Sequence, residues 1–374
     1  MKTSKTCIIC GPIAPRHGIS RGGYETANRR TITLLEGAGW SVTEIPYPDT
    51  LGKSFLGRVR AYLAGFISIY LGLSPQANVP FHFTPLFKHF ILAEYLLLRR
   101  AKSRGYRVIL DLRAGNKARD RARRGGIYRY LFDKAVKLAG SVSVEGQEYL
   151  TLVRNISPNK PLEYLPNFVD TSFIAPSPPP RNKPRLIFVG TVSPAKGVPN
   201  AIALADRLAD KGFQLDIVGR PIKEYTQAFD NNIKKRIYVH AHGPQNFETV
   251  RELLDASTFF IYLTNWAGEG QSNALTEAMA RGCIPVVTDH GFNAATVGEC
   301  GVVVRDREDI ESIAASILEL DQHNQSQAAL SRVKTQFSAA HALEVLERLY
   351  VPTTTAPKAS IQRPQFLESE PNPP

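Results

Sequence analysis

The stretch that decides which fold to expect is Glu269-Gly-Gln-Ser-Asn-Ala-Leu-Thr-Glu277-Ala-Met-Ala-Arg-Gly282-Cys-Ile-Pro-Val-Val-Thr-Asp289. It contains two carboxylates separated by seven residues. Ser272 or Asn273 can cap a helix that Gly282 then ends. Glu269 therefore precedes the helix, and Glu277 lies on it. The free backbone N–H groups at such a helix start, together with the positive end of the helix dipole, suit a diphosphate.

Short apolar runs alternate with longer helical patterns on both sides of this stretch. In the N-terminal half they cover residues 6–10, 41–46, 79–83, 107–112, 141–144 and 162–165. In the C-terminal half they cover residues 185–189, 213–218, 237–239, 259–263, 285–288 and 301–304. The alternation is typical of doubly wound α/β domains with parallel sheets, so the sequence predicts two of them. Ligands bind at the carboxyl ends of such strands, so we expect the active site in the cleft between the domains.

The domain boundaries follow from the same pattern. We expect an N-terminal Rossmann-like domain over residues 1–170 and a second one over 185–335. Residues 171–184 hold five prolines and are interpreted as a linker. A helix over 336–350 can pack back on the N-terminal domain, and the Pro- and Thr-rich tail, 351–374, is expected to be disordered.

The composition is that of a globular protein, with 374 residues, 43% of them hydrophobic and 21% charged. The four cysteines are too few and scattered for a disulfide framework, which fits a reducing compartment. No secretory leader follows Met1, and no segment reaches the roughly 20 apolar residues of a spanning helix. We therefore expect a cytoplasmic protein, or one at the inner face of a membrane.

The net charge of +12 belongs to the N-terminal half. Residues 1–180 hold 26 of the 46 Lys and Arg, but only 12 of the 34 Asp and Glu. Twelve of these cations lie between Arg99 and Arg129, beside the apolar helical pattern of residues 86–98. They suit an anionic lipid surface, or they form a solvated face next to a packed helix. Only the charge favours nucleic acid, so we expect no nucleic-acid partner.

The stretch around Glu269 and Glu277 resembles the Glu-x7-Glu signature of family 4 glycosyltransferases, down to the run Glu-Ala-Met-Ala-x-Gly-x-Pro-Val. These are retaining enzymes of the GT-B fold, in which two Rossmann-like domains face a central cleft. The resemblance implies that residues 1–170 form the acceptor-side domain and residues 185–335 the nucleotide-sugar-binding one. The resemblance implies that Glu277 holds the ribose of a nucleotide-sugar donor and that Glu269 contacts the transferred sugar. It also implies that four loop residues offer backbone amides to the donor: Gly270, Gln271, Ser272 and Asn273.

Three other segments resemble the family in the expected order. Gly18-Ile-Ser-Arg-Gly22-Gly23 resembles its N-terminal glycine loop, which implies that Gly22 and Gly23 lie against the donor. Residues 166–170, Pro-Asn-Phe-Val-Asp, resemble the segment that closes the N-terminal domain, with Phe in place of Gly. Residues 188–197, which include Gly190 and Lys196, resemble the loop that brings an Arg and a Lys to the donor diphosphate.

The chain departs from the family in two places. Thr191 stands where the family usually has Arg, so either another cation such as Arg220 takes this role or donor affinity is lower. Many members also carry a catalytic-site His after the fourth strand, and here that position has none. The replacement on the acceptor side is then His82, Asp111 or Arg113, unless these residues are only structural.

The resemblance implies sugar transfer to an acceptor hydroxyl in polysaccharide, lipopolysaccharide or glycolipid synthesis. Lys196 and Glu269 are the expected catalytic residues, and a sugar or a lipid-linked sugar is the expected acceptor. No cofactor is expected, and no metal, because the chain has no Asp-x-Asp. Two alternatives stay open: a GT-B sugar-nucleotide epimerase, and a non-catalytic sugar-nucleotide-binding protein, which Thr191 and the missing His would suit.

Overall fold

The fold is that of a computed structural model, which describes residues 5–16, 23–50 and 52–351. Two of the sequence-based predictions fall outside these residues. They are the glycine loop as far as Gly22 and the tail after Val351.

The N-terminal domain is a six-stranded parallel sheet in the order β2-β1-β3-β4-β5-β6. Helices pack on both faces of it. In chain order the elements are β1 (Thr6–Gly11), α1 (Gly23–Gly37), β2 (Ser41–Pro46), α2 (Phe55–Gly72), β3 (Pro80–Phe83), α3 (Ile91–Ser103), β4 (Arg107–Leu112), α4 (Lys117–Arg123), α5 (Gly126–Leu138), β5 (Ser141–Val144), α6 (Glu148–Ile156) and β6 (Leu162–Tyr164).

The C-terminal domain repeats this plan, with the strand order β12-β11-β10-β7-β8-β9. Its elements and the last helix are β7 (Arg185–Val189), α7 (Val198–Leu208), β8 (Gln214–Val218), α8 (Thr226–Ile233), β9 (Val239–Gly243), α9 (Phe247–Ala256), β10 (Phe259–Tyr262), α10 (Asn273–Ala280), β11 (Ile284–Thr288), α11 (Asn293–Val297), β12 (Val302–Val304), α12 (Ile310–Glu319), α13 (Gln322–Gln336) and α14 (Ala339–Tyr350). The predicted strand at 237–239 instead begins at Val239 and continues to Gly243.

Burial explains why these runs form strands. β3, β5, β10 and β11 are buried at every residue, as expected for parallel strands covered by helices on both faces. Several helices begin at a polar side chain that accepts a backbone N–H from the first turn. These caps are Ser54, Asn246, Ser272, Asp309, Asp321 and Ser338.

The last helix belongs to the N-terminal core although it follows the C-terminal domain in sequence. Val345 and Leu346 of α14 pack in one cluster with Ile9 of β1 and Ile32 of α1. After the C-terminal domain, the chain crosses back to the N-terminal domain beside Val169, where Val169 N donates to Phe337 O at 2.8 Å. This crossing ties the two domains together at the end of the segment 166–170.

Residues 171–184 do not hang free between the domains. Ala175 N donates to Ala280 O at 2.9 Å, and the Arg181 guanidinium donates to the carbonyls of Arg281 and Gly282 at 2.8 and 3.0 Å. The segment therefore follows the surface of the C-terminal domain. Among the described helices, none combines the length and the apolar character needed to cross a membrane.

Candidate active site

Strand order locates the site in the C-terminal domain. β7 lies between β8 and β10 in the parallel sheet. The chain adds β8 and β9 on one side of β7 and then β10 on the other side, so the strand order reverses between β7 and β10. In open α/β sheets, ligands bind outside the carboxyl ends of the strands at this switch point. Lys196 follows β7 and Glu269 follows β10, and both residues lie there.

Lys196 and Glu269 form a nearly buried ion pair. Lys196 Nζ lies 2.6 Å from Glu269 Oε2, and the two side chains are 16% and 7% exposed. Tyr262 Oη and Thr264 Oγ1 donate to the same carboxylate oxygen at 3.0 and 3.1 Å. Burial and the adjacent Glu269 charge raise the pKa of Tyr262 well above its usual value, so its hydroxyl stays protonated and donates.

Two neighbours fix the position of Lys196. Its Nζ lies 4.3 Å from the centroid of the Trp266 ring, a cation–π contact. Gly197, with φ +81°, turns the chain against the end of β10, and a Cβ there would lie 2.2 Å from Leu263 O. A side chain at residue 197 would therefore displace the lysine.

Helix α10 begins beside this pair. Ser272 caps it, as the sequence predicts, with Oγ accepting from Leu275 N at 3.3 Å. Gly23, at the start of α1, faces Asn273, because a Cβ on Gly23 would lie 3.4 Å from Asn273 Nδ2. The N-termini of α1 and α10 therefore meet across the cleft, and both favour an anion.

The two domains touch closely at the Glu269 loop. Gly115, in the loop after β4, packs directly on it, since a Cβ on Gly115 would lie 1.5 Å from Glu269 O. Arg119 donates to Ala267 O at 2.7 Å from the same side of the cleft. The cleft is thus closed over the Lys196–Glu269 pair.

A buried network continues this contact. Asn167 Nδ2 donates to Glu145 Oε1 at 2.8 Å and to Gln271 O at 3.0 Å, and Gln271 Oε1 accepts from Asn167 N at 2.7 Å. The Arg113 guanidinium donates to Asn167 Oδ1 at 2.9 Å. Gln271 thus has its side chain committed to the N-terminal domain.

The Glu277 carboxylate also has an interdomain partner. The Arg30 guanidinium on α1 forms an ion pair with it, and the two side chains are 19% and 16% exposed. Arg30 donates in addition to Phe168 O at 3.4 Å.

The loops after β7 and β8 lie side by side. Val192 N donates to Arg220 O at 2.9 Å, which holds Gly190 and Thr191 next to Arg220. Thr191 and Arg220 are exposed. The Arg220 guanidinium makes no hydrogen bond or ion pair with any described residue, so this cation is free for a ligand.

The three acceptor-side candidates are buried, as expected if they are only structural. His82 and Asp111 are at most 1% exposed. His82 Nε2 bonds Asp111 Oδ2 at 3.1 Å, and Tyr350 bonds His82 Nδ1 at 2.8 Å. Although burial opposes it, the Arg113 guanidinium holds the pKa of Asp111 below its usual value. Arg113 compensates Asp111 inside the domain, and only its contact with Asn167 reaches the cleft side.

The pH dependence of stability should report on Glu145. Burial, opposed by Arg113 and by the N–H of Ala114, raises the pKa of its carboxyl from 4.5 to about 6. The folded state therefore binds this proton more tightly than the unfolded state. The resulting stabilisation is fully present below pH 4.5 and is lost as the pH rises through 6. As the pH rises from below 4.5 to above 6, we expect the titration of Glu145 to lower the free energy of unfolding by about 2 kcal/mol in total.

Urea unfolding of wild type and Glu145→Gln at pH 4.5 and pH 7 measures this contribution. The variant should lose about 2 kcal/mol less than wild type between the two pH values, because glutamine does not titrate. Equal losses in both proteins would show that the carboxyl titrates normally.

A polar cavity of about 1070 Å³ opens at the carboxyl ends of β1, β2 and β3. Arg29 and Arg16 line it and are both paired with Glu44. Lys53 and Tyr47 line it as well. The cavity lies in the N-terminal domain, and none of the three acceptor-side candidates from the sequence lines it.

The basic stretch from Arg99 to Arg129 is less uniform than its sequence indicates. Lys117 is buried, with Nζ donating to Leu86 O at 2.6 Å, and Arg121 forms an ion pair with Asp133. Internal pairing thus removes part of the charge from the surface. The end of α4 and the start of α5 keep exposed cations beside exposed apolar side chains: Arg123, Ile127, Arg129 and Tyr130.

Several residues at the site carried no signal in the sequence. Tyr262 lies near the end of the predicted strand 259–263, and Thr264 and Trp266 follow it. Only the position of this strand at the switch point of the sheet could have indicated them. Gly115 and Arg30 act through contacts with residues more than 150 positions away. No local pattern indicates such partners.

A known protein family matches the C-terminal domain of the chain. Residues 170–336 match the family described as glycosyl transferases group 1. No curated protein sequence matches the chain.

Solved structures resemble the whole chain. Sucrose-phosphate synthase from Thermosynechococcus elongatus has a TM-score of 0.67 at 16% identity, over 93% of this chain and 98% of that one. A glycosyltransferase from Rickettsia africae gives 0.65 at 15%, over 93% and 99%. HepE of Anabaena, in complex with UDP, gives 0.62 at 14%, over 92% and 99%. The predicted fold of two Rossmann-like domains is confirmed. The chain therefore has the GT-B fold, and its residues 170–336 form a domain that matches the glycosyl transferases group 1 family.

Proposed function

We propose that the enzyme moves a sugar from a nucleoside-diphosphate sugar to an acceptor hydroxyl with retention of configuration, as in family 4 glycosyltransferases. The observation that carries the proposal is the Lys196–Glu269 pair beside the N-terminus of α10, at the switch point of the sheet. A cation and free amide groups at one place suit a diphosphate. HepE, similar in fold, is solved with UDP.

In this proposal the donor replaces contacts that now close the site. Its ribose takes Glu277 from Arg30, and its diphosphate lies against Lys196 and the amides from Gly270 to Asn273. Arg220 supplies the second cation that Thr191 lacks. Once the diphosphate neutralises Lys196, the Glu269 carboxylate is free to accept hydrogen bonds from the sugar.

The chemical step is a heterolysis at the anomeric carbon. The bond from this carbon to the diphosphate oxygen breaks, and negative charge develops on the leaving diphosphate. Lys196 and the α10 amides stabilise that charge, without a metal ion in this proposal. The acceptor oxygen bonds to the anomeric carbon on the face the diphosphate leaves, and its proton passes to the diphosphate.

We propose a sugar or a lipid-linked sugar as the acceptor. Among proteins of similar fold, WaaB is a lipopolysaccharide outer core galactosyltransferase (TM-score 0.63, 13% identity), and WaaG takes part in lipopolysaccharide biosynthesis. These relatives support polysaccharide, lipopolysaccharide or glycolipid synthesis as the setting. A lipid-linked acceptor would bring the enzyme to the cytoplasmic face of a membrane.

Titration calorimetry with nucleoside diphosphates tests the donor site. We expect Glu277→Ala to abolish measurable binding, because the ribose loses its acceptor. Arg30→Ala should bind as well as wild type or more tightly, since it removes a competitor for Glu277. Glu252→Ala, an exposed carboxylate on α9, is the control. Wild-type affinity in Glu277→Ala would refute the ribose assignment.

The same titration measures the part assigned to Arg220. Loss of one charge-assisted contact corresponds to about 1.5 kcal/mol, so Arg220→Ala should weaken binding by about tenfold. An unchanged dissociation constant would show that Arg220 does not contact the diphosphate, so that Lys196 is its only cation in the proposal.

Sedimentation with anionic vesicles tests the membrane contact. Ile127 and Tyr130 are 81% and 59% exposed beside Arg123 and Arg129. Each arginine near an anionic surface contributes about 1 kcal/mol, so the double change of Arg123 and Arg129 to Gln should weaken vesicle binding by about 30-fold at low salt. The control changes Lys234 and Lys235 of the C-terminal domain to Gln. Equal binding by both variants would dismiss this surface.

A further inference from the structure

Helix α2 presents an apolar face that the rest of the protein leaves uncovered. Of its eighteen residues only Phe66 is buried. Seven of its large apolar side chains are exposed, and their exposed fractions range from 39% at Tyr70 to 72% at Phe55. Apolar surface that is contiguous and exposed marks an interaction site. The exposed members are Phe55, Leu56, Val59, Leu63, Ile67, Tyr70 and Leu71.

The face forms one wall of a groove. The opposite wall is α3, where Leu92 and Leu96 are 58% and 43% exposed, and the enclosed volume is about 1090 Å³. Tyr62 and Phe90 meet in it with ring centroids 4.4 Å apart. The volume lies at the upper end of the roughly 300–1000 Å³ usual for ligand pockets.

The chemistry of the lining specifies an uncharged chain. Among the described residues that line the groove none is acidic, and the basic ones are Arg58 and His89. The stripe from Phe55 to Leu71 runs along the helix for roughly 24 Å. A long hydrocarbon chain matches both the length and the lining.

One end of the groove is basic and adjoins the polar cavity. Arg58 and Tyr62 line both spaces, and Lys53 lines the polar cavity. Neither Lys53 nor Arg58 forms an ion pair with a described residue, whereas Arg16 and Arg29 in the same cavity are paired with Glu44. Two free cations thus stand where the apolar surface gives way to the polar one.

We propose that the groove holds the hydrocarbon chain of a lipid-linked acceptor, with the acceptor's phosphate at Arg58 and its hydroxyl-bearing head in the polar cavity. The inference rests on the proposed sugar transfer, since only a transferase needs an acceptor at the carboxyl ends of these strands. A second protein copy would require neither the free cations nor the adjoining polar cavity. A chain with an anionic head uses both.

Calorimetric titration of the full chain with three soluble probes tests the groove. The probes are geranylgeranyl monophosphate, dimethylallyl monophosphate and geranylgeraniol, each below its micelle concentration. We expect the long-chain phosphate to bind at least about tenfold more tightly than either other probe, because it alone fills the groove and reaches Arg58. Equal affinity for the two phosphates would overturn the assignment.

Matched variants on the same helix locate the contact. Leu63→Gln lies in the groove and should weaken binding of the long-chain phosphate by about tenfold. Leu56→Gln should not, because Leu56, 69% exposed against 59% for Leu63, belongs to the same apolar face but does not line the groove. Arg58→Gln should weaken the long-chain phosphate but not the alcohol, with Arg60→Gln as its control. Both leucines are on the surface, so folding should be unaffected.

Three outcomes would overturn the proposal. If both leucine variants bind the probe as wild type does but sediment less with vesicles, the face contacts a bilayer. If light scattering shows a dimer that Leu63→Gln dissociates, a second copy covers it. If Arg58→Gln binds the phosphate normally, no head group lies there. The groove variants should bind nucleoside diphosphates as wild type does, so a failed donor site would be seen separately.

Discussion

Lys196→Ala should slow sugar transfer by about 100- to 1000-fold, the usual effect of removing one group that stabilises a leaving anion. The lysine is the cation nearest to Glu269, at 2.6 Å, and the turn at Gly197 and the ring of Trp266 fix its position. Steady-state rates at saturating donor measure the effect. The loss should appear in kcat, because the charge on the diphosphate grows as the bond breaks.

The matched control is Lys235→Ala, an exposed lysine of the same domain that should transfer at the wild-type rate. Removing Lys196 also leaves Glu269 without its cation, so thermal unfolding of the variant shows whether the domain stays folded. A folded Lys196→Ala enzyme with a wild-type kcat would remove this residue from the mechanism.

Gly115→Ala should reduce transfer by on the order of 100-fold, as expected when reacting groups are displaced by about 1 Å. The added Cβ would lie 1.5 Å from Glu269 O. This oxygen is a backbone atom that cannot turn away as a side chain could, so the two loops must move apart. The displaced loop carries Glu269, which the proposal assigns to the transferred sugar. The measurement is kcat/KM with a sugar acceptor.

Gly126→Ala is the control for this change, because a Cβ on Gly126 has no atom within 4 Å. Lys196 and Glu277 lie outside the displaced contact, whereas the Gly270 amide is part of it, so nucleoside diphosphate binding should fall less than transfer. If Gly115→Ala transfers at the wild-type rate, closure of the two loops is not part of the reaction.

The C-terminal half of the site was predictable because its signals are local. A cap at Ser272, a short helix-favouring run and a stop at Gly282 are neighbours in sequence, and the structure has α10 between them. The buried parallel strands were equally clear, because helices on both faces make each strand a continuous apolar run. Patterns of this kind need no knowledge of distant residues.

The interdomain half was not predictable, because its contacts join distant segments. Arg30 meets Glu277, and Gly115 meets Glu269, only after two domains fold and close. The burial of His82 has the same origin, since its partner Tyr350 ends a helix from the far end of the chain. A strand-end histidine looks alike in sequence whether solvent or another helix covers it.

The exposed face of α2 also depends on packing. Its sequence is apolar enough for a core helix, and only the tertiary structure leaves it facing solvent. The basic stretch misled in the opposite sense, because burial of Lys117 and pairing of Arg121 remove charge that the sequence places at the surface.

The most direct test of the central claim is an NMR spectrum of the enzyme incubated with a nucleotide sugar that it binds and a panel of sugar acceptors. We predict nucleoside diphosphate release and a new glycosidic anomeric signal with the configuration of the donor, both lost in Lys196→Ala. A nucleotide sugar that is only isomerised, or that stays intact while bound, would contradict sugar transfer at this site.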